Sequence, residues 1–229
     1  MTARRQPMRL TPDLVARAFR PVPDPGPREG QTLIDDTDVA TLVASLLVAC
    51  PADPVWIFAY GSLIWKPVFA AAETRRARAR GWHRSFCIEL AGWRGTPEVP
   101  GLMMALAPGG SCTGLAFRLD EGTAADDLAG LVRREMPFRE ILGNARWITV
   151  EAADGPLPAL TFYASPTGTR TSHGLPLETV AHRLAHACGY AGSCAEYLHN
   201  TVAHLEAEGI RDRNLWRLQR LVAAEIAGW

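Results

Sequence analysis

The stretch VWIFAYGSLIWKP, residues 55–67, begins as a strand and then stops reading as one. Val55, Trp56, Ile57 and Phe58 are β-branched or aromatic, a short apolar run of the kind that fills a sheet interior. Tyr60-Gly61-Ser62-Leu63 then interrupts it with a small, polar turn before Ile64 and Trp65 turn apolar again. A glycine at such a point lets the backbone bend sharply or lets another group come close.

Before this strand, residues 1–36 carry PVPDPGPREG, where prolines and glycines forbid regular structure over a full segment. The expectation is an extension or wrap. From Thr37 the pattern changes: Val39, Leu42, Val43, Leu46 and Leu47 recur at intervals of three and four, Thr37 or Asp38 can cap, and Pro51 closes the segment. One amphipathic helix follows, so residues 1–53 read as an N-terminal extension and 54–229 as a single domain.

After the strand, RGWHRSFCIEL (80–90) and GLMMALAPGG (101–110) read as strands joined by the loop AGWRGTPEVPG, and CTGLAFRL (112–119) as another, with Gly109-Gly110 as a hairpin turn. TAADDLAGLVRREM (123–136) is helical, with Leu128, Leu131 and Val132 on one face. WITVEA (147–152) and PALTFYA (158–164) are strands around a Gly155-Pro156 turn. PLETVAHRLAHACG, CAEYLHNTVAHLEAEG and RNLWRLQRLVAAEI are helices, two of them ending at glycine. This order predicts an α+β fold, a mixed β-sheet, curved or closed, with helices around it.

Hydrophobic residues make up 48% and charged residues 21% of the chain, which excludes disorder throughout. The formal net charge is zero, so no global field recruits nucleic acid or an anionic membrane. The cluster Arg75, Arg76, Arg78 and Arg80 reads as a solvated edge or turn, since no stacking aromatics are interleaved with it. Five scattered cysteines with no C-x-x-C pair suit a reducing compartment. MTARRQPMRL has no apolar stretch behind its basic residues, and VATLVASLLVAC is well short of the ~20 residues that span a bilayer. A soluble, cytoplasmic protein is expected.

For chemistry, His182 and His186 stand four apart on a helix, but position 183 is Arg where H-E-x-x-H needs Glu, so they read as surface or packed histidines and no metal is expected. Ser62 lacks the flanking glycines of G-x-S-x-G, and the dinucleotide and P-loop glycine patterns are missing. Arg133, Arg134 and Glu135 end a helix directly before Pro137, a triplet whose ordinary reading is solvated charge. A carboxylate at the negative end of a helix is disfavoured in its ionised form, which raises its proton affinity and suits a proton shuttle.

VWIFAYGSLIWKP followed in order by GWHRSFCIELAGWRGTPEVPG, TGLAFRL, RREM and AEYL resembles the ChaC family of γ-glutamylcyclotransferases, especially its bacterial branch. The ordered set is specific and covers most of the chain, leaving the N-terminal extension outside. The resemblance implies a γ-glutamylcyclotransferase-like barrel with helices packed around it. It implies a lyase that converts glutathione to 5-oxoproline and cysteinylglycine with no metal or organic cofactor. By the same resemblance Ile57, Phe58, Ala59, Tyr60, Gly61, Ser62 and Leu63 line the γ-glutamyl pocket, Glu135 is the catalytic acid/base, and Arg94 and Tyr197 lie near the pocket. Glutathione is the expected partner, with neither nucleic acid nor membrane, and the state a monomer or weak homodimer.

Two departures stand out: Ala59 where many relatives have Gly, and Met136-Pro137-Phe138 where many continue Gly-Gly after the glutamate. A cyclotransferase for other γ-glutamyl compounds, and a non-catalytic γ-glutamyl-binding module acting on a partner, are the competing expectations.

Overall fold

The computed structural model describes residues 7–27, 30–165 and 171–229; part of the proline-rich extension, residues 1–6, 28 and 29, lies outside them. In chain order the elements are α1 (Pro12–Ala18), α2 (Asp36–Val48), β1 (Trp56–Ala59), β2 (Glu73–Leu90), β3 (Gly101–Arg118), α3 (Ala124–Glu135), β4 (Ala145–Ala152), β5 (Gly155–Phe162), α4 (Leu177–His186), β6 (Cys188–Gly189), β7 (Gly192–Ser193), α5 (Cys194–Ala207) and α6 (Arg213–Ala227). They form two compact units, one from residues 25–85 and 105–169, the other from 1–24, 86–104 and 170–229.

The first unit is built on a closed barrel of order β1-β3-β2-β4-β5. β1 runs antiparallel to β3, with Trp56 opposite Arg118 and Ala59 opposite Leu115, and pairs in parallel with β5 at Ile57 and Leu160. All four β1 residues are buried, as their unbroken apolar run predicts. The barrel interior holds Trp56, Phe58, Leu106 and Val150 beside Ala77, Ala79, Ala116 and Ala159, with Tyr60, Trp82 and Tyr163 packed against it. In a barrel of so few strands, small residues leave the volume that Trp56 and Phe58 fill. Gly114 is part of the same fit: a Cβ there would lie 2.3 Å from the Ala59 carbonyl oxygen and 3.0 Å from the Phe58 ring.

Several boundaries differ from the sequence reading. β2 starts at Glu73, seven residues before the expected Arg80, because the basic cluster alternates: Arg76, Arg78 and Arg80 face solvent while Ala77 and Ala79 face the interior. Arg80 pairs with Glu151 of β4 at 2.5 Å, and Arg75 lies over the Trp56 ring. The expected hairpin at Gly109-Gly110 is a continuous β3. Both glycines have positive φ, 103° and 71°, and residues in that conformation inside a ladder bend one strand without ending it. The β4–β5 turn is Ala153-Asp154, since Ala152 pairs with Gly155.

α2 and α3 pack together in this unit, α2 burying Val39, Val43 and Leu46 and α3 burying Leu128, Leu131 and Val132. The cap of α2 is Asp35, where Thr37 or Asp38 was expected. Asp35 accepts from the Asp38 N–H, and Asp38 accepts from the Asp35 N–H in return, a reciprocal capping box.

The second unit is helical. α4, α5 and α6 pack on one another, and α1 packs on α5 and α6. α1 corrects the expectation that residues 1–36 lack regular structure: Thr11 caps it and Pro12 opens it, the position at which proline costs a helix nothing. The chain before α1 is docked by Gln219, whose fully buried amide oxygen accepts from the Arg9 and Leu10 N–H groups, both at 2.9 Å. The small β6–β7 hairpin was missed because its glycines carry no strand signal. Among the described residues no helix is long and apolar enough to cross a membrane.

Candidate active site

β1 ends in the barrel unit at a turn whose carbonyl groups are held by buried side chains. The Thr161 hydroxyl donates to the Phe58 carbonyl at 3.0 Å. Arg84 donates through Nε to the Tyr60 carbonyl at 2.7 Å and through Nη2 to the Thr113 carbonyl at 2.6 Å. A buried guanidinium shared by two carbonyls fixes where β1 stops. Neither Thr161 nor Arg84 stood out in the sequence, although a lone arginine entering the apolar run SFCI was a usable signal.

Beyond Tyr60 the chain forms a 3-10 turn, Ser62–Ile64. Its first bonds are donated by the Ile64 N–H to Gly61 (3.0 Å) and the Trp65 N–H to Ser62 (3.1 Å). The N–H groups of Ser62 and Leu63 precede these and have no acceptor within the turn, as at the start of any helix. Gly61 has φ −142°, outside the left-handed region. Ile57, Phe58, Ala59 and Leu63 are buried and support the turn from beneath, while Tyr60 and Ser62 are closer to the surface.

Glu135 is the last residue of α3, with 23% of its side-chain surface exposed. Burial pushes its carboxyl above the usual range, and the Arg134 charge pulls the other way without prevailing. The expected direction therefore holds, but burial is the dominant cause rather than the helix end. Arg134 departs from the solvated reading of its triplet: it is 17% exposed, with Nε 3.2 Å from Glu135 Oε1 and Nη2 donating to Ser62 Oγ at 3.1 Å. Nη1 donates to the Lys66 carbonyl. Arg133 is the solvated member, half exposed and paired with Asp36.

The segment after Glu135 is tied to the residues preceding α2. Met136 is fully buried. The Pro137 carbonyl accepts from the Ile34 N–H at 3.1 Å, Phe138 bridges Leu33, and the Arg139 N–H donates to the Thr32 carbonyl at 2.9 Å. The Arg139 guanidinium reaches Asp35 at 2.7 Å and Asp38 at 2.6 Å. Residues 32–38 thus hold the segment that replaces Gly-Gly.

Arg94 and Tyr197 belong to the helical unit and come together there. Arg94 is buried, donates to the Ser193 carbonyl at 2.7 Å and to Glu196 at 2.9 Å, and its Cζ lies 5.5 Å from the Tyr197 ring centre. Cys194 in the same unit is sealed: burial pushes its thiol up to about 12, which leaves no thiolate for nucleophilic chemistry near neutral pH.

The closed mixed barrel with helices around it is a fold of the γ-glutamylcyclotransferase class. A yeast γ-glutamyl cyclotransferase specific to glutathione superposes on 74% of this chain and 96% of its own with a TM-score of 0.66 at 19% identity, a likeness of fold. The family model for ChaC-like proteins matches residues 55–225, and the chain belongs to that family. The glutathione-specific gamma-glutamylcyclotransferase of Escherichia coli K12 is 36% identical over 177 residues, 77% of this chain and 76% of its own. Human glutathione-specific gamma-glutamylcyclotransferase 1 is 31% identical over 151 residues, 63% of this chain and 66% of its own. Gamma-glutamylcyclotransferase 2-3 of Arabidopsis thaliana is 31% identical over 178 residues, 73% and 88% of the two chains.

Proposed function

We propose that this chain is a glutathione-specific γ-glutamylcyclotransferase, its activity carried by residues 54–229 with 1–53 as a supporting extension. The observation that carries the reading is the pairing of Glu135, whose carboxyl burial has made more basic, with a turn to which its neighbour Arg134 is bonded. The family match and the names of the relatives agree with it.

The reaction needs no protein nucleophile. The substrate's own α-amine attacks its γ-carbonyl, so the strand end and turn of residues 57–63 contribute by holding amine and carbonyl at near-attack distance, which removes a large entropic part of the barrier. The amine is mostly ammonium near neutral pH, and the Glu135 carboxylate takes one proton from it. Nitrogen then bonds to the γ-carbon, and the oxyanion that forms is met by the Ser62 and Leu63 N–H groups. On collapse the bond from the γ-carbon to the cysteinyl nitrogen breaks, that nitrogen takes the proton back from Glu135, and the ring nitrogen's second proton passes through solvent to the departing amine, leaving the neutral lactam and the cysteinyl ammonium. The products are 5-oxoproline and cysteinylglycine, with Glu135 returned to its starting state. Burial suits both steps, because it brings the carboxyl closer to the pH at which it must gain and lose a proton.

Arg94 and Tyr197 are assigned to substrate binding by the Arg-Gly-Thr-Pro and Glu-Tyr-Leu motifs alone. The protein is assigned to the cytoplasm as a monomer or weak homodimer; its five cysteines, all present as thiols, support a reducing compartment.

The test is to incubate the purified chain with reduced glutathione and to measure 5-oxoproline and cysteinylglycine by mass spectrometry, with γ-glutamyl amino acids as parallel substrates. Turnover confined to glutathione upholds the proposal. Equal turnover of the γ-glutamyl amino acids would mean a general cyclotransferase, and binding without product a non-catalytic module.

A further inference from the structure

We infer a metal-binding site in the helical unit, formed by His182, His186 and Glu225, for a divalent first-row transition ion of the Zn2+ type. The sequence shows only two histidines four apart with arginine between them; the third ligand comes from another helix. α4 and α6 pack together, and Glu225 of α6 faces the histidine pair of α4. Each residue offers one ligand atom, and these atoms lie within 4.8 Å of one another.

His182 Nδ1 is 2.9 Å and His186 Nδ1 4.0 Å from the same Glu225 oxygen, and the two imidazole centres are 4.3 Å apart. Around a tetrahedral ion with ligands at about 2.0 Å, donor atoms stand roughly 3.3 Å apart, so the three need to close by an ångström or so. Their exposure allows that by rotamer adjustment: the side chains keep 63%, 37% and 37% of their surface. Two further features suit a ligand set. His186 Nδ1 lies 2.9 Å from the His182 carbonyl, and the tautomer that donates there leaves the Nε2 lone pair for a metal. α4 and α6 already pack against each other, so the site does not have to assemble them.

Two imidazoles and one carboxylate select Zn2+ or Co2+ over Ca2+ and Mg2+, which prefer all-oxygen sites. Three protein ligands leave a fourth position for water. An ion here would bridge α4 to α6 and stabilise the folded chain.

The experiment is calorimetric titration of the chelator-treated full chain with Zn2+, a thermal scan with and without the ion, and Co2+ as a spectroscopic probe. One ion per chain is expected, with a raised Tm and a cobalt spectrum without thiolate charge transfer. His182→Asn, His186→Ala and Glu225→Gln should each weaken binding by about tenfold or more. His182→Asn keeps a polar partner for Glu225, and circular dichroism of each variant separates loss of ligand from loss of fold. No binding, unchanged affinity in all three folded variants, or a thiolate band in the cobalt spectrum would overturn the assignment.

Discussion

Arg134 joins Ser62 to Glu135: its Nη2 donates to Ser62 Oγ at 3.1 Å while its Nε lies 3.2 Å from Glu135 Oε1. One guanidinium thereby fixes the distance between the proposed substrate turn and the proposed proton shuttle. It also lowers the proton affinity that burial has raised. Replacing it should loosen the geometry and let the Glu135 pKa rise further. Arg134→Met is expected to lower kcat/KM by about a hundredfold, on the order of 3 kcal/mol, and to move the acidic limb of the pH–rate profile to higher pH. A profile that keeps its midpoint would show that Arg134 only holds structure.

Glu135→Gln should bind glutathione and lose turnover by a factor of about 100 to 10,000, the usual contribution of a positioned acid/base. Single-turnover kinetics with mass detection of 5-oxoproline would check it.

The same substitution should make the protein more stable near neutral pH. The folded pKa of Glu135 lies above its unfolded value, so its favourable contribution is fully present below the unfolded pKa and is lost as pH rises through the folded one. Glutamine has no charge to bury. Thermal scans should show the variant above the wild type at pH 7 and the two converging at pH 4; a lower Tm at pH 7 would refute the burial argument.

Gly114→Ala places a methyl group 2.3 Å from the Ala59 carbonyl oxygen, a backbone atom that yields only if β1 moves. A loss of about 1–3 kcal/mol of stability is expected from such overpacking, with a fall in activity because β1 carries the turn. Urea melts and the glutathione assay test the two effects together.

Arg139→Ala removes both ion pairs from the segment after Glu135 to the start of α2. Arg139 and Asp35 are about half exposed, so Tm should hardly change, whereas kcat should fall several-fold as the Glu135 end of α3 loses its brace. Asp38, whose carboxyl is held low by the Asp35 N–H and by Arg139, makes the brace pH-dependent: it is intact above the ordinary carboxylate range and released as pH falls through the depressed value. Activity and hydrogen exchange of residues 136–140 would report it.

The run 55–58, the amphipathic faces of α2 and α3 and the three C-terminal helices were legible in the chain because their signals are local: periodicity, caps and breakers separated by a few residues. The Tyr-Gly-Ser-Leu turn and Glu135, which make up the proposed site, were singled out by an ordered set of motifs. The early start of β2 and the continuity of β3 were not. Charges that alternate with alanine mimic a solvated run, and a glycine pair serves a bulge as well as a hairpin; only cross-strand pairing separates the two.

The chain order of residues was enough to establish the α+β class, the family and the residues to examine, since each of those rests on neighbours along the chain. Tertiary folding settled which groups meet: Arg84 on the Tyr60 carbonyl, Arg134 on Ser62, residues 32–38 on the segment after Glu135, and Glu225 beside His182. These partners are 24, 72, about 100 and 43 positions apart. Their meeting depends on barrel closure and helix packing, and the burial that raises the Glu135 pKa depends on the same closure, because desolvation is a property of the folded surroundings.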